Sequence, residues 1–194
     1  HMPAVEGKAS PLGKLREEIH SHAFFGGYSQ EMLNNCAKLE VSAERSGENV
    51  LVQVDVKNHG VGHALPTGSP MRMVFLKLEA KDENDEVVWQ NFSQNPIKED
   101  PNAVFMKLLQ DSNGNAPVPP WEAVSEKFDQ RLLPDETREF EYIVQDSAAQ
   151  TIEAKLVYRL APPPLLQKLG ITEEIYTQAK LINSKRVQIT KKPN

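Results

Sequence analysis

The most constraining stretch of this chain is Asn49 to Lys57, in which Val50, Val52, Val54 and Val56 alternate with Leu51, Gln53, Asp55 and Lys57. A period of two places all four valines on one side of an extended strand, where β-branched side chains pack well. The preceding run repeats the pattern with Leu39, Val41 and Ala43, and Ser46-Gly47-Glu48-Asn49 has the composition of a turn. Two alternating runs around a turn predict a hairpin with one buried face. A hairpin cannot bury that face alone, so further strands must cover it.

They are present. Met71 to Ala80 is apolar enough for a strand covered on both sides, and Asp82 to Asp85 turns it into Val87-Val88-Trp89. Glu126 to Leu132 reads as a strand. Phe140, Tyr142 and Val144 alternate after the turn Leu133-Pro134-Asp135-Glu136-Thr137, and Ile152, Ala154, Leu156, Tyr158 and Leu160 follow the same rule. Short strands separated by turns predict a mainly β protein, an immunoglobulin-like antiparallel β-sandwich with short peripheral helices at the N- and C-terminal ends. The Cys–Trp–Cys signature of antibody domains is absent. The expected organisation is an N-terminal extension with short helices over 1–36, a sandwich over 37–161, and a helical extension and tail over 162–194.

Within the extensions, residues 1–10 read as a linker, Pro11 to Ile19 as a helix with Leu12, Leu15 and Ile19 on one face, and Ser29 to Asn35 as a helical turn. Pro101 to Gln110 is expected to be helical, within a long irregular segment from Asn95 to Pro120. A helix is expected over Glu173 to Leu181, and Arg186 to Thr190 as a strand or a trailing end. His1-Met2 reads as an expression remnant, and the chain is expected to be a segment of a longer protein.

Composition narrows function. The formal net charge of −5 and the lack of a long Lys/Arg run exclude a nucleic-acid binder, which needs a basic face for phosphates. No apolar run approaches the ~20 residues that span a bilayer. Cys36 is the single cysteine, so neither an intrachain disulfide nor a Cys-rich zinc site can form. Its setting predicts a plain thiol. No Gly-x-Ser-x-Gly elbow or nucleophile with an assigned base is present, so the chain names no catalytic residue.

Apart from His1, the histidines fall in two pairs, His20/His22 and His59/His63. Neutral imidazole ligates transition metals and haem iron. His63 and His59, with His20 or His22, are therefore candidate ligands of a copper or zinc module. Gly60, Gly62, Pro66 and Gly68 break any helix between His59 and His63, so such a site would have to converge through the fold. The structural reading of the loop is a glycine-permitted crossover in which His63 holds backbone carbonyls. A binding module without metal, using Phe105, Met106 and Trp121, is a third option.

Asn58-x-Gly60-Val61-Gly62-His63-x-Leu65-Pro66-Thr67-Gly68 followed by Arg72 resembles a segment in the C-terminal, non-haem part of multihaem c-type cytochromes. His22-x-Phe24-x-Gly26-Gly27, Leu133-Pro134-Asp135-Glu136-Thr137 and Leu156-Val157-Tyr158-Arg159 resemble the same proteins in the same order. In that family, haems are attached upstream at Cys-x-x-Cys-His motifs, and a histidine outside those motifs can be a distal axial ligand. The resemblance implies His22, with His20 second, as such a ligand. It also implies a haem-bearing upstream region or partner cytochrome, a non-catalytic role in electron transfer, and a periplasmic or extracellular location. This chain holds no Cys-x-x-Cys-His, so it carries no covalent haem c of its own.

Overall fold

The structure is a computed structural model that describes residue 2, residues 4–22 and residues 25–191. It is mainly β, and the expected hairpin forms the centre of its four-stranded sheet. Strand β3 (Ala37–Ser46) pairs antiparallel with β4 (Asn49–Asn58) along their whole length, from Ala37 opposite Asn58 to Ser46 opposite Asn49. Gly47 supplies the positive φ of 64° that the tight turn requires. Strand β9 (Thr137–Val144) lines the other side of β4. The two-residue strand β12 (Thr190–Lys191) runs parallel to β3. The order in this sheet is β12-β3-β4-β9.

The larger sheet is built on β5 (Met73–Lys81), with β10 (Thr151–Arg159) on one side and β6 (Val87–Gln90) and β7 (Val104–Gln110) on the other. Strand β8 (Ser125–Asp129) extends it beyond β7, and β11 (Lys180–Gln188) extends it beyond β10. The two sheets enclose one core. Val50, Val52, Val54 and Val56 of β4 and Leu76, Leu78, Ile152 and Leu156 of the larger sheet are fully buried in it. Burying such a side chain contributes roughly 1.5–3 kcal/mol, so the alternation seen in sequence is the force that faces the sheets together. The opposite face of β5 and β7 carries a second cluster of Met73, Phe75, Phe92, Val104, Met106 and Leu108.

Three local expectations are overturned. The described part of residues 1–10 is not a linker and Pro11–Ile19 is not a helix: β1 (Ala4–Lys8) and β2 (Leu15–His20) form a separate hairpin. Leu12 is 100% exposed and Leu15 62%. A short helix with no core for its apolar face is marginal in water, and cross-strand hydrogen bonds satisfy the backbone instead. Val5 sits opposite Ile19 in this hairpin.

Pro101–Gln110 is a 3-10 turn at Pro101–Ala103 followed by strand β7. Buried on both faces, β7 reads as a continuous apolar run, which periodicity cannot distinguish from a buried helix.

The helix expected over Glu173–Leu181 is the single turn α4 (Glu174–Thr177), after the short α3 (Pro163–Lys168). Strand β11 then pairs with β10 from Thr151 opposite Gln188 to Tyr158 opposite Lys180. Lys180–Gln188 thus forms a strand of the larger sheet. The turn at Ser29–Asn35 stands as helix α1 (Gln30–Asn34).

Between β6 and β7 lies α2 (Pro96–Glu99), fixed by one carboxylate. Glu99 accepts hydrogen bonds from the backbone N–H groups of Ser93 (2.7 Å), Gln94 (3.1 Å) and Asn95 (2.6 Å) and from the Ser93 hydroxyl (2.9 Å). These donors, led by the Ser93 N–H, pull its pKa down to about 2. A depressed carboxyl pKa means that the clamp holds at all higher pH and opens as pH falls through about 2. Carboxyl-carbon NMR should therefore show Glu99 titrating near pH 2; a midpoint near the ordinary 4.5 would contradict this bonding.

Candidate functional site

The unusual glycine-rich loop leaves the end of β4, and one side chain folds it. Asn58 is fully buried. Its Nδ2 donates to the carbonyls of His63 (2.9 Å) and Leu132 (3.1 Å), and its N–H donates to Glu136 (2.9 Å). Leu65 and Leu132 exchange backbone hydrogen bonds of 2.8 and 2.9 Å beside it. Asn58 therefore fastens the loop to itself and to the Leu133–Thr137 turn.

The loop also docks on the N-terminal side of β3. His59 donates its N–H to the Cys36 carbonyl at 3.2 Å. Gly60 has φ +83°, and a Cβ there would lie 2.6 Å from the Asn35 carbonyl oxygen. Only glycine meets both conditions.

The second organiser is Arg72. Its Nη1 donates to the Thr67 carbonyl at 2.9 Å, and its N–H to the Ser69 carbonyl at 3.1 Å. A Cβ on Gly68 would come within 2.8 Å of Nη1, and one on Gly27 within 3.1 Å. Arg72 thus threads between two glycines and joins the Gly26-Gly27 segment to the Pro66-Thr67-Gly68 turn. Arg72, Gly27 and Gly68 all lie in the segments that carry the family resemblance, but an arginine and a glycine far apart in sequence give no sign of contact.

Next to this junction is a tyrosine pair. The rings of Tyr28 and Tyr158 stand 6.0 Å apart, and Lys180 Nζ lies 3.9 Å above the Tyr28 ring while donating to its carbonyl at 2.7 Å. Burial raises the pKa of Tyr158, against an opposing pull from Arg72. The segments 26–27, 58–72, 133–137 and 156–159, which share the family resemblance, are linked through Asn58, Arg72 and this pair.

The candidate histidines have different settings. His63 is half-buried, and its Nδ1 lies 3.1 Å from the Ala64 carbonyl. A carbonyl only accepts, so this contact puts the proton on Nδ1, in line with the structural reading of the loop. His59 is exposed. His20 ends β2, exposed, with Nδ1 3.1 Å from the Met2 carbonyl. His22 is exposed just beyond it. Among the described residues no three His, Cys, Asp or Glu side chains come together to hold a metal, so His59, His63 and an N-terminal histidine are not assembled as a copper or zinc set.

Cys36 is a core thiol. It is buried, donates to the Leu33 carbonyl, and burial pushes its pKa up to about 11. Phe105 and Met106 are 1% exposed and belong to the two cores, leaving Trp121, 69% exposed, as the open apolar side chain of that expected recognition surface. Among the described residues no helix is long and apolar enough to cross a membrane.

Neither a protein-family model nor a curated protein matches this chain. Among solved structures, the crystal structure of a penta-heme cytochrome c552 from Thermochromatium tepidum matches with a TM-score of 0.80 and 35% sequence identity, over 88% of this chain and 44% of that one. The chain is related to a multihaem cytochrome. It spans less than half of that relative's length. The likeness covers most of the sandwich described above, and its identity goes beyond what a shared fold alone requires.

Proposed function

We propose that this chain is the haem-free β-domain of a multihaem c-type cytochrome, packing on a haem-bearing segment and offering it an axial histidine, His22 first and His20 second. The observation that carries the reading is the match to the penta-heme protein, which takes in 88% of this chain but 44% of the other. Such a match fits a domain that accompanies haem-bearing sequence.

The residues present fit that division. Thioether attachment needs two cysteines, and the one cysteine here is buried at Cys36. The N-terminal imidazoles, by contrast, are at the surface. Haem iron supplies the one-electron chemistry when bound, and an axial imidazole sets its potential and spin state. His20 illustrates the preparation: with its proton on Nδ1 toward the Met2 carbonyl, the Nε2 lone pair is the ligating one. His22 stands a few residues from Gly26-Gly27, and Gly27 is held against Arg72. The role is non-catalytic, within electron transfer, in the periplasm or outside the cell.

Two measurements test it. The coding sequence upstream should contain Cys-x-x-Cys-His motifs; none there overturns the reading. A haem c peptide with one open axial position, mixed with the purified chain, should give the Soret shift of a low-spin, two-histidine haem. His22→Ala should abolish that shift while His20→Ala leaves most of it. Retention of the full shift in the double variant would reject both residues as ligands.

A further inference from the structure

A second site lies on the loop itself. Pro66, Gly68, Ser69, Pro70, Arg72, Lys107 and Arg131 line a cavity of about 250 Å³. Three of these side chains are cationic, and they are not equally neutralised. Arg131 makes a bidentate pair with Asp129, at 2.8 Å from Nε and 2.6 Å from Nη2. Lys107 bonds Glu126 at 2.5 Å and reaches Asp129 at 3.6 Å. Arg72 has no carboxylate partner among the described residues; its Nη1 is committed to the Thr67 carbonyl. Two carboxylates thus face three cations, and the excess positive charge resides on a guanidinium held in place by its backbone surroundings.

A solvated surface arginine needs no such placement. Arg72 is half-buried, and Gly27 and Gly68 both leave it room that a Cβ would take away. Its Nε and Nη2 donors have no partner among the described residues. The planar guanidinium fork matches a carboxylate in a bidentate arrangement, and the Lys107 ammonium on the same wall can take the second oxygen or a second acid group. The proline-rich rim of Pro66 and Pro70 is stiff, so little ordering is needed on binding.

We propose that this cavity is a carboxylate-binding site with Arg72 as the anchoring residue and Lys107 as the second contact. The carboxylate can come from a small free acid or from a propionate of a haem carried by the partner segment. Only the second source rests on the proposed domain role.

The test is a titration of the intact chain with succinate, followed by NMR of the arginine Nε–H signals. Saturable binding that moves the Arg72 signal is expected. Arg72→Gln should weaken it about tenfold or more, as expected for the loss of a charge-assisted bidentate pair. Lys107→Gln, a change at a half-exposed position, should weaken it several-fold with the melting temperature retained. Absence of saturation, or parental affinity in the Arg72→Gln variant, overturns the proposal.

The source is separated by the haem c peptide with free and with esterified propionates. Weaker binding of the ester to the parent chain, but not to Arg72→Gln, assigns the site to propionate; equal binding of the two assigns it to free acids. Loss of the Soret shift in His22→Ala with succinate binding intact bears on the axial-ligand reading alone. The converse, a Soret shift without succinate binding, rejects the carboxylate site and leaves that reading standing.

Discussion

Replacing Leu156 with alanine should lower the unfolding free energy by about 4 kcal/mol, within the range measured for leucine truncation in well-packed cores. Leu156 is fully buried between the sheets. It pairs with Leu76 on one side and Asn183 on the other, in the middle of the larger sheet. Strands on both sides hold the backbone, so the site cannot collapse around the missing atoms. For a chain of this size the melting temperature should fall on the order of 10 °C. Urea denaturation with an unchanged slope would confirm a pure loss of stability. A loss near 1 kcal/mol would mean that the facing valines of β4 move in to fill the space.

The change Asn58→Asp should cost a similar amount at pH 7, about 3–5 kcal/mol, with no change in volume. Asn58 Nδ2 donates to two carbonyl oxygens, and its Oδ1 has no partner among the described residues. A carboxylate there would turn two donors into an acceptor facing acceptors, in a fully buried position. The acid form restores one donor, so the folded state would hold the proton more tightly than the unfolded chain. A raised folded pKa carries its stability below the unfolded value and loses it as pH rises. The variant should therefore approach the parent near pH 4 and fall away from it toward neutrality. Thermal melts across that range check the sign; a pH-independent deficit would mean that the loop rearranges to admit water.

The two variants probe features of unequal legibility. The valine stripe of β4 and the alternation of β10 were plain in sequence, because each has a single buried face and its side chains report that directly. Strand β7 was not, since burial on both faces erases the alternation. The β1–β2 hairpin was hidden for the opposite reason: Leu12, Leu15 and Ile19 fit a helical face, yet no core lies beneath them. At the site, the loop's glycines announced a sharp crossover, and Gly60 against Asn35 bears that out. The pairing of Arg72 with Gly27, and the approach of Lys107 and Arg131 to the same cavity, depend on contacts between distant strands that no local pattern records.

The two-residue strand β12 has a consequence for how this protein is made. Thr190 bonds the Ala43 carbonyl across 147 positions of chain, while Lys180–Gln188 just before it covers the flank of β10. One late segment therefore supplies the outer strand beside β10 and pairs with the Glu44–Arg45 end of β3. While the ribosome is still synthesising residues before 180, the β10 edge that β11 will cover presents unpaired backbone groups to the surroundings. Exposed borders of that kind invite pairing with other nascent chains. Long-range closure is also slow, so the interval between emergence of β10 and emergence of β11 and β12 is when the β10 edge is most open to wrong pairing.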